Sequence, residues 1–226
     1  YFVRLGLTPD SQPAKSVLPH GFNLPAGKAN GRAGKKTANH LVKIIAAGRF
    51  VAKKGFTDLI DAAAILQQKN IPCEIEIYGT GQLESALASR ISAAHLGNIS
   101  VKGWAEDLSV IFAEADIFCL PSHEEPFGLI LGEAMLAGLP VIATRTDGPV
   151  DILGQNGERP NATLAFGGVL IEAENPAALA VAIEEMVKNP DRRKKAGLAG
   201  QHHIHTNYSL KKQAERLKTI LASAQR

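Results

Sequence analysis

The sequence predicts an α/β fold: a Rossmann-like, three-layer α/β/α arrangement around a parallel sheet. Short apolar runs alternate with longer amphipathic ones from Leu41 onward, and glycine or proline punctuates the junctions. Strands separated by helices of about ten or more residues form βαβ units, whose parallel sheet is covered on both faces. A third observation lies in His123–Thr144. There a strand-like run ending at Leu120 passes Pro121-Ser122, Pro126 and Gly128 into a helical pattern, stops at Gly138-Leu139-Pro140, and re-enters a strand. These are the start and stop signals of a β–loop–α–turn–β unit.

In chain order, residues 1–40 read as an irregular leading segment with one strand, Ser16-Val17-Leu18. The apolar run Val42–Ala47 opens the sheet and Phe56–Gln68 is its first amphipathic partner. Glu74–Tyr78 and Gln82–Ala94 repeat the unit, followed by Ile99–Lys102 with Leu108–Ala113 and Asp116–Leu120 with Leu129–Ala137. Val141–Thr144 precedes a short helix at Val150–Leu153, and Val169–Ile171 precedes Pro176–Lys188. Two further helices, Arg192–His202 and Leu210–Ala224, close the chain. Asn175-Pro176 and Asn189-Pro190 each pair a capping side chain with a proline, the residue tolerated at a first helical position.

A chain of 226 residues buries a real core, as one domain or two small ones. Its composition, 45% hydrophobic and 21% charged, is that of a soluble globular protein, and its longest apolar runs carry charges or are too short to span a bilayer. No signal peptide is visible, but the first residue is Tyr1 rather than Met, so a piece of a longer protein is expected. Cys73 and Cys119 sit in separate strand-like runs without CxxC spacing. They read as buried free thiols in a reducing, cytoplasmic compartment. The net charge of +3 is uneven: no acid falls between Asp10 and Asp58, where Lys15, Lys28, Arg32, Lys35, Lys36, Lys43, Arg49, Lys53 and Lys54 all lie. Such a block suits a diphosphate ligand or peripheral contact with an anionic membrane at its inner face. Without aromatic interleaving or a nucleic-acid module, nucleic acid is not an expected partner.

The acidic motif carries the chemistry. Glu125 lies in the loop before the helix and Glu133 inside the helix, with the helix amino terminus between them. The first-turn N–H groups of a helix lack intrahelical partners and the dipole favours an anion there. Carboxylates repel phosphate, so the two glutamates suit the neutral, hydroxyl-rich parts of the same ligand. That combination reads as a nucleotide-sugar site. A paired-carboxylate glycosidase arrangement is the competing reading, but it needs both carboxyl groups across one scissile bond.

Gly48-Arg49-Phe50-Val51-Ala52-Lys53-Lys54-Gly55 leaves the carboxyl end of the first confident strand, the edge where open α/β sheets bind ligands. A guanidinium fork at Arg49 and a point charge at Lys54 fit a diphosphate; taken alone they are better explained as solvated surface cations, and the diphosphate reading gains weight only in combination with the acidic motif. Tyr78-Gly79-Thr80-Gly81-Gln82 is a glycine turn that fails as a dinucleotide fingerprint, because Glu84 stands where a small residue is needed. It is a structural turn or one beside a ligand. His202, His203 and His205 lack the spacing of a metal site and suit a helix C-terminus. His123 precedes the glutamates without an assignable role, and Trp104 is either core or a base-stacking edge.

Together these segments resemble the C-terminal, donor-binding half of a glycosyltransferase family 4 enzyme (the glycosyl transferases group 1 domain), which has the GT-B fold. Leu18-Pro19-His20-Gly21-Phe22-Asn23 is similar to the interdomain "PNGVD" segment, GRFVAKKG to the "GR-x4-KG" loop, and YGTGQL to the "GxG" turn. LPSHEEPFGLILGEAMLAGLPVIAT is similar to the E-x7-E motif, and the resemblance covers residues 16–226. It implies a retaining hexosyltransferase that moves a sugar from a UDP-, GDP- or ADP-linked donor to an acceptor hydroxyl, in polysaccharide, lipopolysaccharide or glycolipid synthesis. Arg49 and Lys54, with the N–H groups of Gly128 and Leu129, would hold the diphosphate. Glu125 would be the catalytic-site carboxylate on the donor sugar, with Pro126 and Phe127 beside it, and Glu133 would bind the ribose. No metal and no other cofactor is implied, since cations and a helix dipole can neutralise the leaving group.

Pro126 stands where the family often has glycine, and Gly148-Pro149-Val150-Asp151 replaces the commoner "GGxPE" loop, which bears on donor-sugar preference. The implied organisation is an interdomain leading segment at 1–40, a nucleotide-sugar domain at 41–207, and a final helix at 208–226 that packs toward an absent acceptor-binding domain. That domain would bring in an acceptor glycan or lipid-linked sugar, and the donor half alone would turn over little. Alternatives are a non-catalytic nucleotide-sugar-binding module and a GT-B nucleotide-sugar epimerase.

Overall fold

The structure, a computed structural model, describes residues 2–5, 14–17, 21–22, 41–154 and 167–224. Its centre is a six-stranded, all-parallel sheet formed by β3 (Val42–Ala47), β4 (Cys73–Tyr78), β5 (Ile99–Gly103), β6 (Ile117–Leu120), β7 (Val141–Thr144) and β8 (Gly168–Ile171). The spatial order is β5-β4-β3-β6-β7-β8. The chain runs outward from β3 to one edge, then crosses back to β6 and runs to the other. β3 and β6 are therefore neighbours, in register at Ile44↔Ile117, and the order reverses between them. Such a switch point opens a crevice at the carboxyl ends of the strands.

Both faces are covered, as the predicted α/β/α layering requires. On one face α1 (Phe56–Gln68), α2 (Glu84–Ala93) and α6 (Pro176–Lys188) pack Leu59, Leu66, Leu87, Ile183 and Met186 against Ile44, Ile75 and Ile77. On the other, α3 (Leu108–Glu114), α4 (Leu129–Leu136), α5 (Asp147–Leu153) and α7 (Pro190–Asn207) bury Phe112, Leu131, Met135, Ile152 and Ile204 against Ile45, Phe118 and Val141. All four residues of β6 and of β7 are buried, which explains why those runs are continuously apolar rather than alternating. Of the two predicted caps one forms: Asn175 Oδ1 accepts from Ala178 N–H at 2.9 Å, with Pro176 in the first turn of α6. Asn189 precedes Pro190 as expected but does not cap α7, because its side-chain amide donates back to the Glu185 carbonyl at 2.8 Å.

Three segments differ from the sequence reading. The leading segment is not irregular throughout: β1 (Phe2–Leu5) pairs antiparallel with β2 (Ala14–Val17), a two-stranded pairing apart from the main sheet. Leu18 of the expected Ser16-Val17-Leu18 strand lies outside the described residues, as do His20, Asn23 and the cations from Lys28 to Lys36. α5 begins at Asp147, not Val150, because Pro149 falls in the first turn, where its missing N–H costs nothing. α7 runs from Pro190 to Asn207, longer at both ends than Arg192–His202. Its interior glycines are contact points rather than breaks: a Cβ on Gly197 would lie 2.1 Å from the Gly138 carbonyl oxygen, so only glycine permits this approach.

Cys73 and Cys119 are free and buried, and burial pushes their thiols up to about 11 and about 12 respectively. Phe22 crosses to the far end of the chain. Its N–H donates to the Tyr208 carbonyl at 2.8 Å, and the Phe22 carbonyl accepts from Leu210 N–H at 3.3 Å, at the start of α8 (Leu210–Ala224). No helix among the described residues is long and apolar enough to cross a membrane.

Candidate functional site

The loops after β3 and β6 leave adjacent parallel strands at the same sheet edge and meet there. The first, Gly48–Gly55, is built to a fixed shape. Phe50 N–H donates to Thr80 O at 2.8 Å, Leu83 N–H to Phe50 O at 3.1 Å, and Gly48 N–H to Tyr78 O at 3.0 Å. The glycine turn after β4 is thus a brace. A Cβ on Gly79 would sit 1.9 Å from the Gly48 carbonyl oxygen, and one on Gly81 2.7 Å from that of Phe50. Positive φ at both glycines reinforces the same requirement. Arg49 projects from the braced loop, exposed and without an ion pair among the described residues.

The second loop follows β6. His123 and Glu124 N–H groups donate to the Lys53 carbonyl, at 2.8 and 3.3 Å. Across this seam Lys54 Nζ lies 2.5 Å from Glu125 Oε2, and both side chains are mostly buried. Ser122 Oγ donates to the same carboxylate oxygen at 3.4 Å. Two residues that the sequence assigned to diphosphate and sugar are thus paired directly, 71 positions apart. Lys54 carries three N–H donors, so this contact leaves donors for a second anion.

Gly128 then turns the chain into α4 with φ +82°, a left-handed conformation that favours glycine, and no side chain caps the helix. Leu129 is exposed at its first turn. Glu133 is exposed one turn further on, yet neighbouring atoms crowd water from its carboxyl and raise its pKa above the usual glutamate value. Pro126 is exposed. The Phe127 ring packs instead between Phe22, stacked at 6.4 Å between centroids, and Tyr208, tilted at 6.5 Å.

Two contributors had no structural role assigned from the sequence. Gly148 N–H donates to the Glu125 carbonyl at 2.8 Å, and a Cβ there would lie 2.2 Å from the Phe127 carbonyl carbon. Thr144 Oγ donates to the Ser122 carbonyl, holding the loop from β7. The only local signal was the GPVD stretch, which opens α5 against this loop. Trp104 is 73% exposed, so it is not core. It follows β5, the edge strand, two strands away from β3. Of the histidine cluster, His202 and His205 are exposed, while His203 is half-buried beside Tyr208 at 5.7 Å; burial lowers its pKa. No group of three or more metal-ligating side chains occurs among the described residues.

A braced cation loop and an uncapped helix start meet at a switch-point crevice, with two glutamates flanking that helix start. The glycosyl transferases group 1 family model matches residues 30–203. The chain belongs to that family. It is 29% identical over 187 residues to a GDP-mannose-dependent monoacylated alpha-(1-6)-phosphatidylinositol monomannoside mannosyltransferase of Corynebacterium glutamicum, covering 79% of this chain and 46% of that protein. It is 27% identical over 183 residues to the lipopolysaccharide core biosynthesis glycosyltransferase LpsE of Rhizobium meliloti, covering 80% and 49%. The crystal structure of Anabaena Alr3699/HepE in complex with UDP-glucose superposes with a TM-score of 0.69 at 22% identity, over 82% of this chain and 50% of that one. That likeness shows the fold, one Rossmann-like half of a GT-B glycosyltransferase. The chain spans about half the length of the curated relatives it matches.

Proposed function

We propose that this chain is the donor-binding half of a retaining glycosyltransferase, taking a nucleotide-diphosphate sugar and delivering the sugar to an acceptor hydroxyl in glycolipid, lipopolysaccharide or polysaccharide synthesis. The observation that carries the reading is the convergence of Lys54, Glu125 and the uncapped start of α4 at the β3/β6 switch point. The two named relatives, a GDP-mannose-dependent mannosyltransferase and a lipopolysaccharide core glycosyltransferase, and the UDP-glucose complex of HepE support the same ligand class.

In this reading Arg49 and Lys54 take the diphosphate together with the Gly128 and Leu129 N–H groups. Charge that develops on the leaving phosphate then meets fixed cations and a helix dipole rather than reorganising water. Glu133 accepts from ribose hydroxyls one turn along α4. Glu125 accepts from hydroxyls of the donor sugar, its own charge balanced by Lys54 so that it does not repel the neighbouring phosphates. Acceptor binding and closure over the donor belong to a partner domain, toward which α8 would pack, and closure excludes water from the sugar.

Glu125→Gln in the full-length protein tests the assignment. Sugar transfer should fall by on the order of a hundredfold or more, the scale of losing a preorganised polar contact, while affinity for the free nucleoside diphosphate stays near the parent's. Nucleotide-sugar binding without transfer by the parent would favour a non-catalytic binding module, and equal transfer by variant and parent would remove Glu125 from the chemistry. Sugar conversion with donor alone and no acceptor would instead show an epimerase.

A further inference from the structure

The seam between the two site loops is fastened on two sides, and only one side belongs to the ligand groups described above. Lys54 and Glu125 close the first. On the second, His123 Nε2 lies 2.8 Å from Asp58 Oδ2, with the two side chains 24% and 16% exposed. Asp58 sits in the first turn of α1, and His123 Nδ1 lies 4.0 Å from Glu174 Oε1 beyond β8. A carboxylate only accepts, so Nε2 carries the proton in the contact with Asp58. The seat for the ring is prepared by Gly55: a Cβ there would lie 3.0 Å from His123 Cδ2 and 1.9 Å from the Pro121 carbonyl oxygen.

His123 is two positions from Glu125 in the same loop, so a contact that fixes His123 limits how far the backbone at Glu125 can shift. Lys54 alone is a weak locator for Glu125, because its ammonium rides on a flexible four-carbon stem. The imidazole, rigid and held by a helix side chain, fixes the loop more tightly. Placement matters steeply here, since a misplacement of about 1 Å at a reacting centre costs on the order of a hundredfold in rate.

We propose that His123 is a positioning residue: latched to Asp58 on α1, it sets where Glu125 presents its carboxylate to the donor sugar, without touching the nucleotide. The proposal rests on the donor-sugar role of Glu125 given above. The pair lies 65 positions apart in sequence and is brought together by the β3–β6 adjacency.

The test is titration calorimetry on the full-length protein with a nucleoside diphosphate and with the corresponding sugar nucleotide, choosing the base that the parent binds. His123→Ala and Asp58→Ala should each weaken sugar-nucleotide binding about tenfold, the scale of one charge-assisted hydrogen bond, while nucleoside diphosphate affinity stays within about twofold. The double variant should be no worse than either single one, because both remove the same contact. His123→Gln, whose amide N–H reaches the place of Nε2, should restore most of the loss; with Asp58→Asn it carries the comparison if His123→Ala does not fold. Equal losses for both ligands, no loss, or additive losses would overturn the positioning role alone. A parent that binds no nucleotide would overturn the donor reading first, and this proposal with it.

Discussion

Glu133 sets a folding requirement against a binding one. Crowding around its carboxyl raises the pKa, so the folded chain holds the proton more tightly than the unfolded chain does. The sign follows from proton linkage. Above both pKa values the ionised carboxylate opposes folding, and the opposition fades as pH falls through the raised folded value toward the ordinary ~4.3. Glu133→Gln should therefore raise the thermal midpoint at about pH 7, with the gain shrinking toward zero near pH 4. Scanning calorimetry at the two pH values reads this directly, and an unchanged midpoint at the higher pH would refute it. On the ribose role proposed for Glu133, the same variant should also bind a nucleoside diphosphate more weakly, because an ionised acceptor has been lost. Stability given up at a carboxylate that serves a ligand is a common trade in binding sites.

The loop between β6 and α4 is shaped by elements that touch it from behind. A Cβ at Gly148 would fall 2.2–2.3 Å from three Phe127 backbone atoms, which cannot move without shifting Glu125 and Gly128. Gly148→Ala should cost about 1–3 kcal/mol of stability, as overpacking does, and should weaken both nucleotide and sugar-nucleotide binding; chemical denaturation and calorimetry would measure the two effects. A fully stable variant with parental affinity would show that the loop is not held by α5. How far each element could be read beforehand follows the same logic. β3, β6, β7, α1 and α6 were legible because apolar periodicity and caps are local properties. α5 was read short because Gly148-Pro149 looks like a break in a sequence, although Pro149 occupies a tolerated first turn. α7 was read short only at its ends, at Pro190-Asp191 and beyond His202, where helix boundaries are least local; its interior glycines were kept within the helix and allow close backbone approach. Glu125, Glu133, Arg49 and Lys54 stood out as residue types in sensible places. Their pairing did not, because Lys54–Glu125 and Asp58–His123 span 71 and 65 positions and depend on the strand order.

The sheet order turns these scattered signals into one site. β3 and β6 are neighbours only because the chain doubles back after β5, and that reversal brings the cation loop, the glutamate loop and the amino end of α4 to a single edge. The packing of Phe22 and the turn into α8 against Phe127 and Tyr208 ties the segments nearest the two ends of the matched region to the same loop. The most direct test of the central claim is the affinity of UDP, GDP and ADP, measured by titration calorimetry for the parent and for Arg49→Ala. At least one nucleotide should bind the parent, and the variant should bind it about ten- to a hundredfold more weakly. That is the loss of a charge-assisted contact worth ~1.5–3 kcal/mol, and the difference should shrink for the nucleoside without phosphates. Binding of none of the three by the parent, or equal affinity in the variant, would contradict a diphosphate site at this edge of the sheet.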